Sequence, residues 1–145
     1  MNIVEEAKKL IGIPFRPQGR NESGLDCLGV ILRAYQKCGI EVPKRDDYNI
    51  GSENYSKSML THVVISHDRI YSIDDVQDGD VLLFSSRPNS RPKHFGLCSN
   101  AGEGFENLVV IHTTSQIGKV VEEQLEQRWF PLLHSIWRLK EEWRA

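Results

Sequence analysis

The hydrophobic period of this chain changes at Val81. Before that point apolar residues recur at helical spacing. After it they come in short runs separated by turn residues. Helices laid down first, followed by a meander of strands, predict an α+β fold with N-terminal helices packed on an antiparallel β-sheet. No repeat or linker interrupts the 145 residues, so one domain over positions 1–145 is expected.

The elements can be read in order. Ile3 to Leu10 forms a short amphipathic helix, stopped by Gly12-Ile13-Pro14. Phe15 to Gly24 is polar and glycine-containing and reads as a loop. A second helix begins near Asp26 and runs to Lys37, with Leu28, Ile31, Leu32 and Tyr35 on one face and Gly39 suited to the left-handed end. A third is expected over Glu53 to Ile65. Strands are expected at Val81–Phe84, His94–Ser99, Leu108–Thr114, Lys119–Val121 and His134–Leu139, with Glu122–Trp129 read as helical.

Composition removes several classes of function. With 39% hydrophobic residues and three Trp, the chain can build a core and is not of the disordered type. A net charge of −2 without a basic run gives no footprint for nucleic acid. The start Met-Asn-Ile-Val-Glu-Glu-Ala has neither the basic residues nor the apolar run of a secretory signal, and no stretch has the length of a membrane span. The expectation is synthesis in the cytoplasm, with any action outside it depending on another carrier. Cys27, Cys38 and Cys98 are odd in number, widely spaced and free of any Cys-x-x-Cys pair, which argues against a disulfide framework or a zinc ribbon.

Cys27 falls in the first turn of the second helix, just after Asp26. Unpaired amides there carry partial positive charge, which favours a thiolate. Gly24 and Gly29 on either side would leave room for a substrate backbone. The plain alternative is an inert thiol packed under the loop. Strand alternation puts His94, Gly96 and Cys98 on one face, and Val110, His112 and Thr114 on one face. If those faces coincide, His112 can orient the ring of His94, and His94 can take the proton of Cys27. Read alone, His112 is better taken as a core histidine bonded to backbone. His62, His67 and His134 read as surface or structural, and Cys38 and Cys98 as small packed side chains. Zinc held by Cys27, His94 and His112 lacks any local ligand pair, so no metal is expected.

In order along the chain stand Gly12-Ile13-Pro14-Phe15-Arg16, Gly24-Leu25-Asp26-Cys27-Leu28-Gly29-Val30, Gly79-Asp80-Val81-Leu82-Leu83-Phe84, His94-Phe95-Gly96-Leu97 and Val110-Ile111-His112. Together they resemble the motifs of the NlpC-type cell-wall cysteine peptidases, over roughly residues 5 to 140. The resemblance implies a papain-like α+β fold without cofactor or metal. It implies cleavage of murein stem peptides, commonly between D-glutamate and a diamino acid, through an acyl-thioester. Carried over by motif, Cys27 is the nucleophile, His94 the base and His112 the orienting residue. Cys27, Asp26, Phe15 and Arg16 would then line the oxyanion and substrate site. The sequence Asp-Cys-Leu-Gly is similar to short phage and prophage members, which makes tail components conceivable partners and delivery through a tail or by lysis to the periplasm or cell wall an expectation. Two departures stand out. Phe15 occupies a position where many members carry Tyr, whose hydroxyl faces the oxyanion. His94 and His112 are separated by 18 residues, implying an enlarged turn near Ala101–Asn107. An amidase or deamidase on another amide, or a silent binding or tail module, are the rival readings.

Overall fold

The computed structural model describes residues 2–42 and 63–144. Helix α1 (Ile3–Lys8) starts where the Asn2 side chain accepts from the amides of Val4 and Glu5, and Glu5 and Glu6 complement its first turn. Helix α2 (Cys27–Lys37) is capped by Asp26 and ends before Gly39, whose φ of 75° supplies the left-handed turn. The apolar sides of the two helices pack on one another, and α2 lies against the sheet.

Between the helices the expected loop holds a small hairpin, β1 (Arg20–Asn21) and β2 (Gly24–Leu25). Its neighbour Phe15 bridges to Leu25, and Pro14 bridges to Lys119. This is a correction to the loop reading: polar, turn-forming residues also suit a two-residue hairpin arm.

The main sheet contains β3 (His67–Ile70), β4 (Val81–Ser85), β5 (Pro92–Ser99), β6 (Val109–His112), β7 (Val121–Gln124) and β8 (Leu133–Leu139). Their order is β3-β8-β4-β5-β6-β7, and every neighbouring pair is antiparallel. The α+β expectation therefore stands. Every residue of β4 is buried, so alternation divides the strand between two cores. Val81 and Leu83 join Phe95, Leu97, Ile111 and Trp137 under the helices. Leu82 and Phe84 join Cys98, Val110 and Ile136 on the opposite face, covered by Leu108 and Leu125. Asp80, buried at the head of β4, accepts from the Arg138 guanidinium at 2.9 Å through each oxygen and pins β8 alongside.

Two expectations need adjustment. The strand expected at Lys119–Val121 begins at Val121 and continues to Gln124, while the helical segment shrinks to α3 (Leu125–Arg128). Pairing of Val110 with Glu123 and His112 with Val121 overrides the helix preference of Glu-Glu-Gln. The third helix lies outside the described residues except for its end at residues 63–65, as does His62. The enlarged turn between β5 and β6 is present as two short 3₁₀ turns, Ala101–Glu103 and Phe105–Asn107.

Candidate active site

The start of α2 is held from below. Asp26 has no exposed surface. Its Oδ1 accepts from the Gly29 amide and from Arg20 Nη1, both at 2.8 Å, and its Oδ2 accepts from the Gln18 amide at 3.0 Å. Cap and ion pair together fix where the helix begins, and hence where Cys27 stands. This corrects the expectation of a substrate contact: the Asp26 carboxylate is engaged beneath the helix and is no part of the cleft wall. The flanking glycines are corrected with it. A Cβ on Gly29 would lie 2.1 Å from the Gly19 carbonyl, and one on Gly24 would lie 2.4 Å from the Arg16 Cβ. The room they leave is taken by the chain itself. Arg16 is exposed and outside the cleft wall, its backbone amide donating to the Leu25 carbonyl at 3.1 Å.

Cys27, nearly buried, lines a cleft of about 460 Å³ with Phe15, His94 and Trp129, and Lys93 and Thr114 also border it. The thiol reaches this space from the helix-side core. His94 reaches it from the other face of β5, where Phe84 and Trp129 hold its ring at centroid distances of 5.7 and 5.2 Å. The two sides of the sheet thus meet at its end.

Behind His94 lies His112, fully buried. The register pairing Cys98 with Val110 brings the two histidine faces together, as the alternation required. His94 Nε2 lies 2.6 Å from His112 Nδ1. On its far side His112 Nε2 lies 2.6 Å from Glu123 Oε2. That carboxylate also accepts from Trp129 Nε1 at 2.7 Å and from Arg128 Nη2 at 2.8 Å. Burial, reinforced by the neighbouring His112, holds His94 well below the ordinary imidazole range. Burial also lowers His112, against the opposing pull of Glu123. For Glu123 burial works upward, but bonds from His112 and Trp129 prevail and keep the carboxyl below its usual value.

The remaining candidates lie elsewhere. Cys98 is buried in a strand and Cys38 sits at the end of α2, and burial raises both thiols. His134 is exposed beside Ser135. Contrary to its polar sequence neighbourhood, His67 is buried. Glu123 and Trp129 escaped the sequence reading because both fell in a segment read as helical. Continuing the alternation from Val121 for two more residues would have put Glu123 on the face of His112.

Comparison with known proteins agrees with this architecture. The NlpC/P60 family sequence profile matches residues 12–138. A Mycobacterium tuberculosis protein named "Probable endopeptidase" is 30% identical over 84 residues, which are 58% of this chain and 18% of that protein. The chain therefore spans a small part of its curated relatives. The NlpC/p60 domain of the peptidoglycan hydrolase SagA superposes with a TM-score of 0.61 at 24% identity, covering 92% of this chain and 93% of that one. A Staphylococcus aureus protein described as similar to lipoprotein, NLP/P60 family, gives a TM-score of 0.66 at 23% identity, covering 94% and 40%. With a profile match across most of its length and the same papain-like arrangement of helix and antiparallel sheet, the chain belongs to the NlpC/P60 family.

Proposed function

We propose that the chain is a cysteine peptidase that hydrolyses amide bonds in the stem peptides of bacterial peptidoglycan, with the D-glutamyl–diamino acid bond as its target and the cell wall as its place of action. The observation that carries the reading is one cleft wall bearing both Cys27, at a helix start, and His94, whose far nitrogen is bonded to His112. A mycobacterial relative named as a probable endopeptidase supports peptide-bond cleavage, and the likeness to a domain of a named peptidoglycan hydrolase supports the substrate class.

In this mechanism Cys27 Sγ attacks the amide carbon as His94 takes the thiol proton. The carbonyl oxygen becomes an oxyanion, held by the backbone N–H of Cys27 at the positive end of α2. Collapse breaks the C–N bond, and His94 returns the proton to the departing amine. Water, deprotonated by His94, then cleaves the thioester and restores the thiol. Lys93 at the cleft offers a counter-charge for a stem-peptide carboxylate. The test is digestion of purified murein with product mass analysis, wild type beside Cys27→Ala. Release of stem fragments split at the D-glutamyl bond by the wild type alone is expected. Equal digestion by Cys27→Ala, or none by either, would end this reading.

A further inference from the structure

Two short hydrogen bonds in a row, His94 to His112 and His112 to Glu123, constrain where the protons lie. With His94 neutral, three proton arrangements satisfy both bonds. In the first, Glu123 is ionised, neutral His112 donates through Nε2–H, and its bare Nδ1 accepts from His94 Nε2–H. His94 Nδ1 then carries a lone pair. In the second, His112 is a cation donating from both nitrogens, so His94 accepts at Nε2 and is protonated at Nδ1. In the third, Glu123 is protonated and donates to His112, and His94 is again protonated at Nδ1. Only the first leaves His94 a basic nitrogen for the cleft it shares with Cys27.

The surroundings select among them. His112 has no exposed surface, and no other carboxylate bonds to it among the described residues, so a cation there loses its hydration with one partner in return. Glu123 receives N–H donors from Trp129 and Arg128, neither of which can accept, so both bind the ionised carboxylate more strongly than the protonated acid. Among the described residues, the charged and titratable groups facing His112 are His94 on β5, Glu123 on β7 and Arg128 on α3. Arg128 is largely exposed and already bonded to Glu123. Trp129 covers both rings, its centroid 4.7 Å from that of His112.

We propose that Glu123 is a positioning residue: by accepting from His112 Nε2–H it fixes the His112 tautomer, and through it the tautomer that leaves His94 Nδ1 free to act as base. The proposal rests on the reading of Cys27 and His94 given above. Glu123 touches no reacting atom. Its part is to keep His112 an acceptor toward His94.

Ring-nitrogen NMR of the full chain, with and without Glu123→Leu, reads the tautomers without reference to activity. In the wild type His94 is expected protonated at Nε2 and bare at Nδ1, and in Glu123→Leu both histidines should become tautomer mixtures. Glu123→Gln keeps an acceptor oxygen and should retain the wild-type pattern, with kcat within about threefold, while Glu123→Leu should lose about ten- to a hundredfold in kcat with KM little changed. His112→Asn supplies the double-variant check. An amide oxygen accepts from His94 whatever lies beyond it, so adding Glu123→Leu in that background should cost less than about twofold. A wild-type His94 protonated at Nδ1 would overturn the proposal, as would a Glu123→Leu penalty of the same size in the His112→Asn background. Should Glu123→Leu fail to fold, the wild-type and Glu123→Gln spectra still decide. A wild type with the expected tautomer but no action on murein would sink the peptidase reading while leaving the tautomer assignment standing.

Discussion

Two buried histidine neighbourhoods lie on opposite faces of the sheet, and they have little else in common. Under the helices, His67 Nε2 is 2.7 Å from the Tyr35 hydroxyl and Nδ1 is 2.9 Å from the Ser66 hydroxyl. The Tyr35 ring stacks on it at 5.9 Å. Both nitrogens are spent on neutral partners inside a closed core. On the other face, His94 is engaged at one nitrogen, its partner passes the bond to a carboxylate, and its ring borders an open cleft. Burial depresses the basicity of both histidines, so a shifted titration does not distinguish a strut from a base. What distinguishes them is a ring nitrogen with no hydrogen bond to any described residue, next to space.

The sharpest way to break this contrast is to substitute each histidine by Gln. His94→Gln should lower turnover on murein about a thousandfold while leaving thermal stability near wild type. His67→Gln should do the reverse. Assaying kcat and Tm on both proteins checks it, and a large loss of turnover in a folded His67→Gln would erase the distinction.

Acid provides the next largest effect. Burial pushes His67 down to about 4 from 6.5. The unfolded chain therefore binds a proton that the folded chain refuses, and stability present above pH 6.5 drains away as the pH falls toward 4. Over that window His67 should account for on the order of 3 kcal/mol. Denaturant unfolding at several pH values should show a shallower acid decline for His67→Phe than for the wild type. Parallel declines would place the acid sensitivity in the other region.

The smallest expected effect concerns the open side of the comparison. Phe15 is half-buried on the cleft wall, so a hydroxyl added there need not be buried without a partner. Phe15→Tyr should raise kcat about tenfold by giving the oxyanion another donor. Steady-state kinetics with an unchanged kcat in a stable variant would show that the ring only packs.

Much of this arrangement was legible before folding was considered. Asp26-Cys27 ahead of an apolar helical stripe announced the helix start, and strand alternation brought His94 to His112. What stayed hidden depended on partners distant in sequence. Asp26 reads as a polar residue near a thiol until Arg20 and the Gln18 amide close around it. His67, followed by Asp68 and Arg69, looks solvated until β8 pairs with β3 and buries His67 while those two stay exposed. Glu123 belongs to a run with strong helix preference, and pairing with β6 decided otherwise.

Trp129 has a consequence of its own. Its indole lies against the rings of both His94 and His112 and is hydrogen-bonded to the carboxylate that holds them. A protonated imidazole beside an indole quenches its emission more strongly than a neutral one. The cleft is thereby equipped with an internal optical reporter. With Trp137 and Trp143 replaced by Phe, the emission of Trp129 alone would follow each proton entering or leaving the histidine pair, in real time and without a label.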